Sequence, residues 1–218
     1  MTILQTILNF IAQLLNRRGN PGAIVPTPKD PPKLNPVEFS FWLKEEVAKK
    51  GHFPQGYEPI ADNPNTPENE RRTYCNFFVR STLKTKFNYF AFETTATDQA
   101  GEMLNYMESH ADQWKKLECM AEYSVGGQGV TKVGPDYESA VRWATQGCLI
   151  VAAWKNPQYP TILDAHVCII APENVLCAST KWGRNVPLAA NVGADNWYGK
   201  ALSWAFGEEP NLYLFLGA

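Results

Sequence analysis

Residues 148–171 read CLIVAAWKNPQYPTILDAHVCIIA, and this stretch decides the fold. Residues 148–154 and 162–171 are β-type runs, and the Asn and Pro residues of 156–160 have turn chemistry, so a hairpin is expected between them. Downstream, 186–193 and 211–216 read as further strands. Upstream the texture is helical. Residues 136–146 form a helical pattern stopped by Gly147, and 98–118, around Met103, Leu104, Met107, Trp114 and Leu117, suggest another helix. A third begins near Cys75, where Phe78, Val79, Thr82 and Leu83 recur at helical spacing and put Cys75 at the N-terminal end of the buried face. Asn35 and Pro36 have cap and first-turn chemistry for a helix over 37–50, and the Pro-, Asn- and Gly-rich residues 51–72 read as loop. Helices first and strands later is the pattern of an α+β domain, an antiparallel sheet packed by helices on one side.

The chain has 218 residues, with 20 Lys and Arg against 22 Asp and Glu, for a net charge of −2. Nucleic acid is excluded as an expected partner, because phosphate neutralisation needs clustered basic residues. With 44% hydrophobic and 12% aromatic residues the body can bury enough area to offset chain entropy, which excludes disorder for most of its length. No apolar run reaches the roughly 18 residues that span a bilayer. The five cysteines are an odd set without CxxC or CxxH spacing, which argues against a disulfide framework and a zinc site, so no metal or organic cofactor is expected. At least one thiol is then free, and a reducing compartment is its simplest setting.

Residues 1–18 contain TILQTILNFIAQLLNRR. Gln5, Asn9 and Gln13 interrupt the apolar run, and Arg17 and Arg18 follow it, so it does not read as a secretory signal. At 100° per residue its apolar side chains fall within an arc of roughly 160°, an amphipathic helix whose face needs a partner protein, another copy of the chain, its own body or a membrane surface. Residues 19–36 carry six prolines and read as a semi-rigid spacer, leaving 37–218 as the globular domain. Synthesis in the cytoplasm without a signal peptide is the expectation that follows.

Strand alternation sets His166 on one face with Asp164, Cys168 and Ile170, and Asn191 with Ala189 and Pro187. If the two strands are neighbours, His166 and Asn191 lie side by side, and a helix laid over that face by its first turn brings Cys75 to His166. A thiol at a helix N-terminus, beside an imidazole whose second nitrogen is held by a carboxamide, is the arrangement of a Cys-His-Asn nucleophile, and amides at the helix start suit an oxyanion. Each residue also has a plainer use. Cysteine is among the most buried residue types, a strand histidine can be a satisfied polar group, and Asn191 ahead of Val192-Gly193 can shape a turn. His52 and His110 read as solvated, the GGQG run at 126–129 as a turn, and Glu118 and Glu122, at helical spacing, as a solvated face.

The segments TYCNFFV at 73–79, AHVCII at 165–170, ANVG at 190–193, Asn196 and AFG at 205–207 together resemble the NlpC/P60 and CHAP superfamily of papain-like cysteine peptidases and amidases, bacterial and phage cell-wall hydrolases. The resemblance spans roughly residue 72 to the C-terminus, around an unfamiliar insertion at 88–146 that reads as helical. It implies a papain-like fold, Cys75 as nucleophile, His166 as base and acid, Asn191 as its orienting group, and an amide bond of a peptidoglycan peptide or glycopeptide as substrate, reached, for a wall hydrolase made without a signal, through release by phage lysis, injection or another non-classical route. Tyr74, Asn76, Asp164, Asn196 and Trp197 are the substrate-contacting candidates, and Trp154 and Trp182, like Trp197, are candidates to flank the site. TYCNFF in place of DCSGF, Ala165 where a Gly commonly stands, and Asn as third residue lean toward the amidase or CHAP-like side. Two alternatives stand beside it: a cysteine amidase or transglutaminase-like effector acting on proteins, and a non-catalytic wall-binding module of the same fold.

Overall fold

A computed structural model describes residues 29–49, 56, 74–93, 99–125, 128–157, 165–193 and 195–218. In chain order the elements are α1 (Pro36–Ala48), α2 (Cys75–Phe87), α3 (Ala100–Ser109), β1 (Trp114–Lys116), β2 (Glu118–Val125), β3 (Gln128–Pro135), α4 (Tyr137–Ala144), β4 (Ile150–Lys155), β5 (Ala165–Ile170), β6 (Leu176–Ser179), β7 (Arg184–Asn191), β8 (Trp197–Ala201) and β9 (Asn211–Phe215). Residues 1–28, which hold the expected amphipathic helix and most of the spacer, lie outside the described residues, as do His52 and Asp164.

The architecture is α+β. Its main sheet runs β1-β9-β4-β5-β7-β6, with β8 also paired to β7, and each pairing is antiparallel. The expected hairpin is present as β4 and β5, with Trp154 opposite His166 and Val151 opposite Ile169. The run CLIVAAW is apolar throughout because its strand is covered on both faces. Leu149, Val151 and Ala153 join Phe39 and Leu43 of α1, Phe78, Val79 and Leu83 of α2, and Met103 and Met107 of α3. Ile150 and Ala152 face the other way, against Tyr137, Ala140 and Ala144 of α4. Helices therefore cover both faces of the sheet, not one as expected.

The helix termini follow their local chemistry. Asn35 Oδ1 accepts from the amides of Val37 and Glu38, Pro36 occupies the first turn, and Asp136 accepts from Ser139 at 2.9 Å. Past α4, Gly147 has φ +84, and its carbonyl accepts the Leu34 amide at 3.0 Å. The last residues of the spacer are thus fixed to the body. Lys29 adds a second tie, its ammonium bonding the Ala218 carbonyl.

The helix expected over 98–118 stops at Ser109, and the insertion at 88–146 is not helical throughout. Met103, Leu104 and Met107 pack at helical spacing, but the chain leaves the helix at His110, and Trp114 enters β1 opposite Phe215. There Trp114 meets the rings of Tyr89, Phe92 and Phe215, an aromatic cluster that only β9 completes. Glu118 and Glu122 lie in β2, whose eight residues pair with β3 in a separate two-stranded ribbon. They share a face because of strand alternation, with Met120 between them 65% exposed. His110 caps α3 and stacks on Tyr106 at 3.7 Å, half-buried and not simply solvated.

Candidate functional site

Cys75, His166 and Asn191 stand at the ends of three different elements: the first residue of α2, the second of β5 and the last of β7. The structure brings all three together. His166 Nε2 lies 2.7 Å from Asn191 Oδ1. The carboxamide cannot flip freely, because its Nδ2 donates to the Asp195 carbonyl at 2.7 Å. With Oδ1 so directed, Nε2 is the protonated nitrogen and Nδ1 is left for the Cys75 thiol, which hydrogen-bonds the ring.

The route by which Cys75 arrives differs from expectation. His166 shares its face with Cys168 and Ile170, and its ring lies 5.1 Å from that of Phe206 on the side packed by α4. Helix α2 covers the opposite face, where Cys75, Phe78 and Val79 pack with Ala165, Val167 and Ile169. The contact is therefore made around the sheet's end and not across the face that His166 occupies. β5 and β7 pair at Ile169–Ala190 and Ile170–Ala189, and His166 and Asn191 both lie beyond that paired stretch.

Burial of the imidazole, the largest single influence, acts to lower its pKa. The negative charge and hydrogen bond of Cys75, with the hydrogen bond of Asn191, outweigh it and hold His166 above its ordinary 6.5. Cys168 is held neutral: burial, then the nearby charge of Cys75, push its thiol well above the usual range and keep it protonated. Burial also raises Cys119 and Cys148. All five cysteines are free, and among the described residues Cys75 is the one that meets an imidazole.

Gly193 closes the site. A Cβ there would stand 3.2 Å from His166 Cε1, so the glycine lets the backbone lie against the ring edge. Asn196 Oδ1 accepts the Gly193 amide at 3.1 Å and so shapes the same turn. Of the other candidates, Tyr74 is half-buried against Phe77, with ring centroids 6.1 Å apart, and Asn76 is buried next to Cys75. Trp197 sits opposite Asn191 in the register and is 8% exposed, while Trp154 sits opposite His166 and is half-buried. Trp182 stacks on Tyr137, 6.4 Å away, against the α4-side core.

Two neighbours of the ring, Phe206 and Gly193, stand in the resembling segments at 205–207 and 190–193 but were given no role of their own. No spacing rule links them to His166; only the repetition of ring contacts in space does. Among the described residues no group of three or more His, Cys, Asp or Glu is placed to hold a metal ion, and no helix is long and apolar enough to cross a membrane. Comparison with known proteins found no match among family models, curated proteins or solved structures.

Proposed function

We propose that this chain is a thiol hydrolase of amide bonds, and more particularly a papain-like peptidoglycan hydrolase. The observation that carries the first step is the hydrogen-bonded chain from Cys75 through His166 to Asn191, with the carboxamide itself locked on Asp195. The second step rests on the order of the resembling segments, together with a helix that opens on its cysteine and packs against an antiparallel sheet supplying the histidine and asparagine. In the reaction the Cys75 thiolate attacks the amide carbonyl, and the developing oxyanion lies toward the positive end of α2. The tetrahedral intermediate collapses as His166 gives its Nδ1 proton to the leaving amine, forming a thioester. Neutral His166 then takes a proton from water, whose hydroxide attacks the thioester and returns the thiolate and a free carboxylic acid. Asn191 holds the ring orientation through both transfers.

One observation favours a second reading. Cys75 is 0% exposed, as a core residue would be, so the triad can also be the hydrogen-bonded interior of a non-catalytic module. Purified peptidoglycan, digested with wild type and with Cys75→Ala and followed by turbidity and mass analysis of the fragments, separates the two. New amine and carboxyl termini released by wild type and not by a folded Cys75→Ala protein support the hydrolase. Equal activity of the two proteins removes the mechanism, and inactivity of both on wall with wild-type cleavage of a protein substrate moves the target to proteins.

A further inference from the structure

A groove of about 360 Å³ opens beside α3 at the ends of β4 and β9, within the size range of sites for small ligands. Its walls include Glu108 of α3, Trp154 and Lys155 of β4, and Glu209 and Asn211 around the start of β9. Two chain segments connect it to the triad. Trp154 is paired directly opposite His166, and Phe206, packed on the His166 ring, is followed three residues later by Glu209. Because Ala153 pairs with Asn211 and Lys155 with Ala165, the groove and His166 lie at the same end of the sheet. Two strand spacings, about 10 Å, separate the β9 edge of the groove from the His166 strand. A peptide of about three extended residues covers that distance.

The two groove carboxylates differ in their charge balance. Glu209 faces Arg184 at 3.6 Å and accepts from Tyr137 at 3.2 Å. Glu108 accepts a hydrogen bond from the Tyr213 hydroxyl at 3.0 Å, and no cation among the described residues pairs with it. It is exposed at the mouth, and Trp154, whose side chain packs half-buried against the α4-side core, also lines the groove. Lys155 supplies a positive charge for a carboxylate.

Resting on the hydrolase reading above, we infer that this groove is the subsite for the peptide flanking the scissile amide, with Glu108 receiving an ammonium group of that peptide. The test is calorimetric titration of the full chain carrying Cys75→Ala, which binds without turnover. The probes are a synthetic, N-terminally acetylated tripeptide ending in lysine and its Nε-acetylated counterpart. Adding Glu108→Gln, which keeps an acceptor for Tyr213, is expected to weaken binding of the free-amine peptide by about fivefold and to leave the acetylated peptide unaffected. Equal affinity of the free-amine peptide for both proteins, or no binding to either, overturns the subsite. Glu108-dependent binding in a protein whose wild type cleaves neither peptidoglycan nor protein overturns the hydrolase reading and leaves the peptide site standing.

Discussion

Replacing Asn191 with alanine tests the electrostatics of the triad directly. The 2.7 Å bond that His166 Nε2 donates to Asn191 Oδ1 is short and partly buried, Asn191 being 4% exposed. A hydrogen bond of this kind favours the charged imidazolium, and bonds to charged groups contribute about 1.5–3 kcal/mol. The neutral ring donates the same Nε2 bond, worth about 0.5–1.5 kcal/mol, so the difference of about 1–1.5 kcal/mol, at 1.36 kcal/mol per pKa unit, lowers the His166 pKa by about 1 unit. The sign follows from the wild-type state. His166 is held above 6.5 when folded, so its contribution to stability is fully present below that pH and is lost as pH rises through the folded value. Asn191→Ala therefore moves the upper end of that window down, along with the alkaline limb of kcat/KM wherever a protonated His166 is needed. The readout is the ¹H–¹³C titration of the His166 Cε1–H resonance, assigned among the three histidines by its absence in His166→Gln. Asn191→Asp, which places a carboxylate on the same nitrogen, should move the midpoint up. A midpoint unchanged within about 0.3 unit in the alanine variant refutes the assignment of Asn191 as the group holding the ring.

Gly193→Ala puts a methyl group 3.2 Å from His166 Cε1, while Asn191 and Phe206 hold the ring on other sides. The ring must give by a few tenths of an ångström, so on the proposed hydrolase reading hydrolysis should fall by on the order of tenfold or more with little change in melting temperature, and unchanged rates would show a slack site. Gly147→Ala combines a φ of +84 with a Cβ placed 1.8 Å from the Leu34 carbonyl oxygen, so the residues preceding α1 must detach. About 3 kcal/mol of strain and lost bonding, a fall in Tm on the order of 10 °C, is expected by calorimetry, with the free cysteine count unaltered; a Tm within about 2 °C of wild type contradicts the tie between Leu34 and Gly147.

Patterns that depend on near neighbours in the chain were readable from the residues. Asn35-Pro36 and Asp136 cap their own helices, Gly147 ends one, and the hairpin at 148–171 shows in two apolar runs around a turn. Residues 98–118 misled for a definite reason. Met103, Leu104 and Met107 have helical spacing, and Trp114 and Leu117 continue it, but Trp114 gains more by entering the aromatic cluster against Phe215, 101 positions away. β6 and β8 were not foreseen because short strands acquire their pattern from β7, to which both pair. At the site, the condition that the His166 and Asn191 strands be neighbours is met, but the helix carrying Cys75 was expected over the face that His166 occupies and covers the other one. Period-two alternation says which residues share a face and nothing about which face a distant helix covers.

What the residues determined by themselves is the set of reactive groups and the local device that carries each: a thiol opening a helix, a histidine in a strand, a carboxamide ending another. The tertiary structure alone decided how those groups meet. The meeting depends on where β5 and β7 cease to pair, on the Asp195 carbonyl that fixes the Asn191 amide, and on a glycine that lets the backbone lie against the imidazole. It also decided which thiol is coupled: five cysteines are equivalent in composition, but burial pushes Cys168 toward the neutral thiol while Cys75 reaches His166. The physical reason is range. Propensity and capping act within a few residues of sequence, whereas a hydrogen bond or a charge acts on whatever packing brings within a few ångströms, across 91 positions from Cys75 to His166.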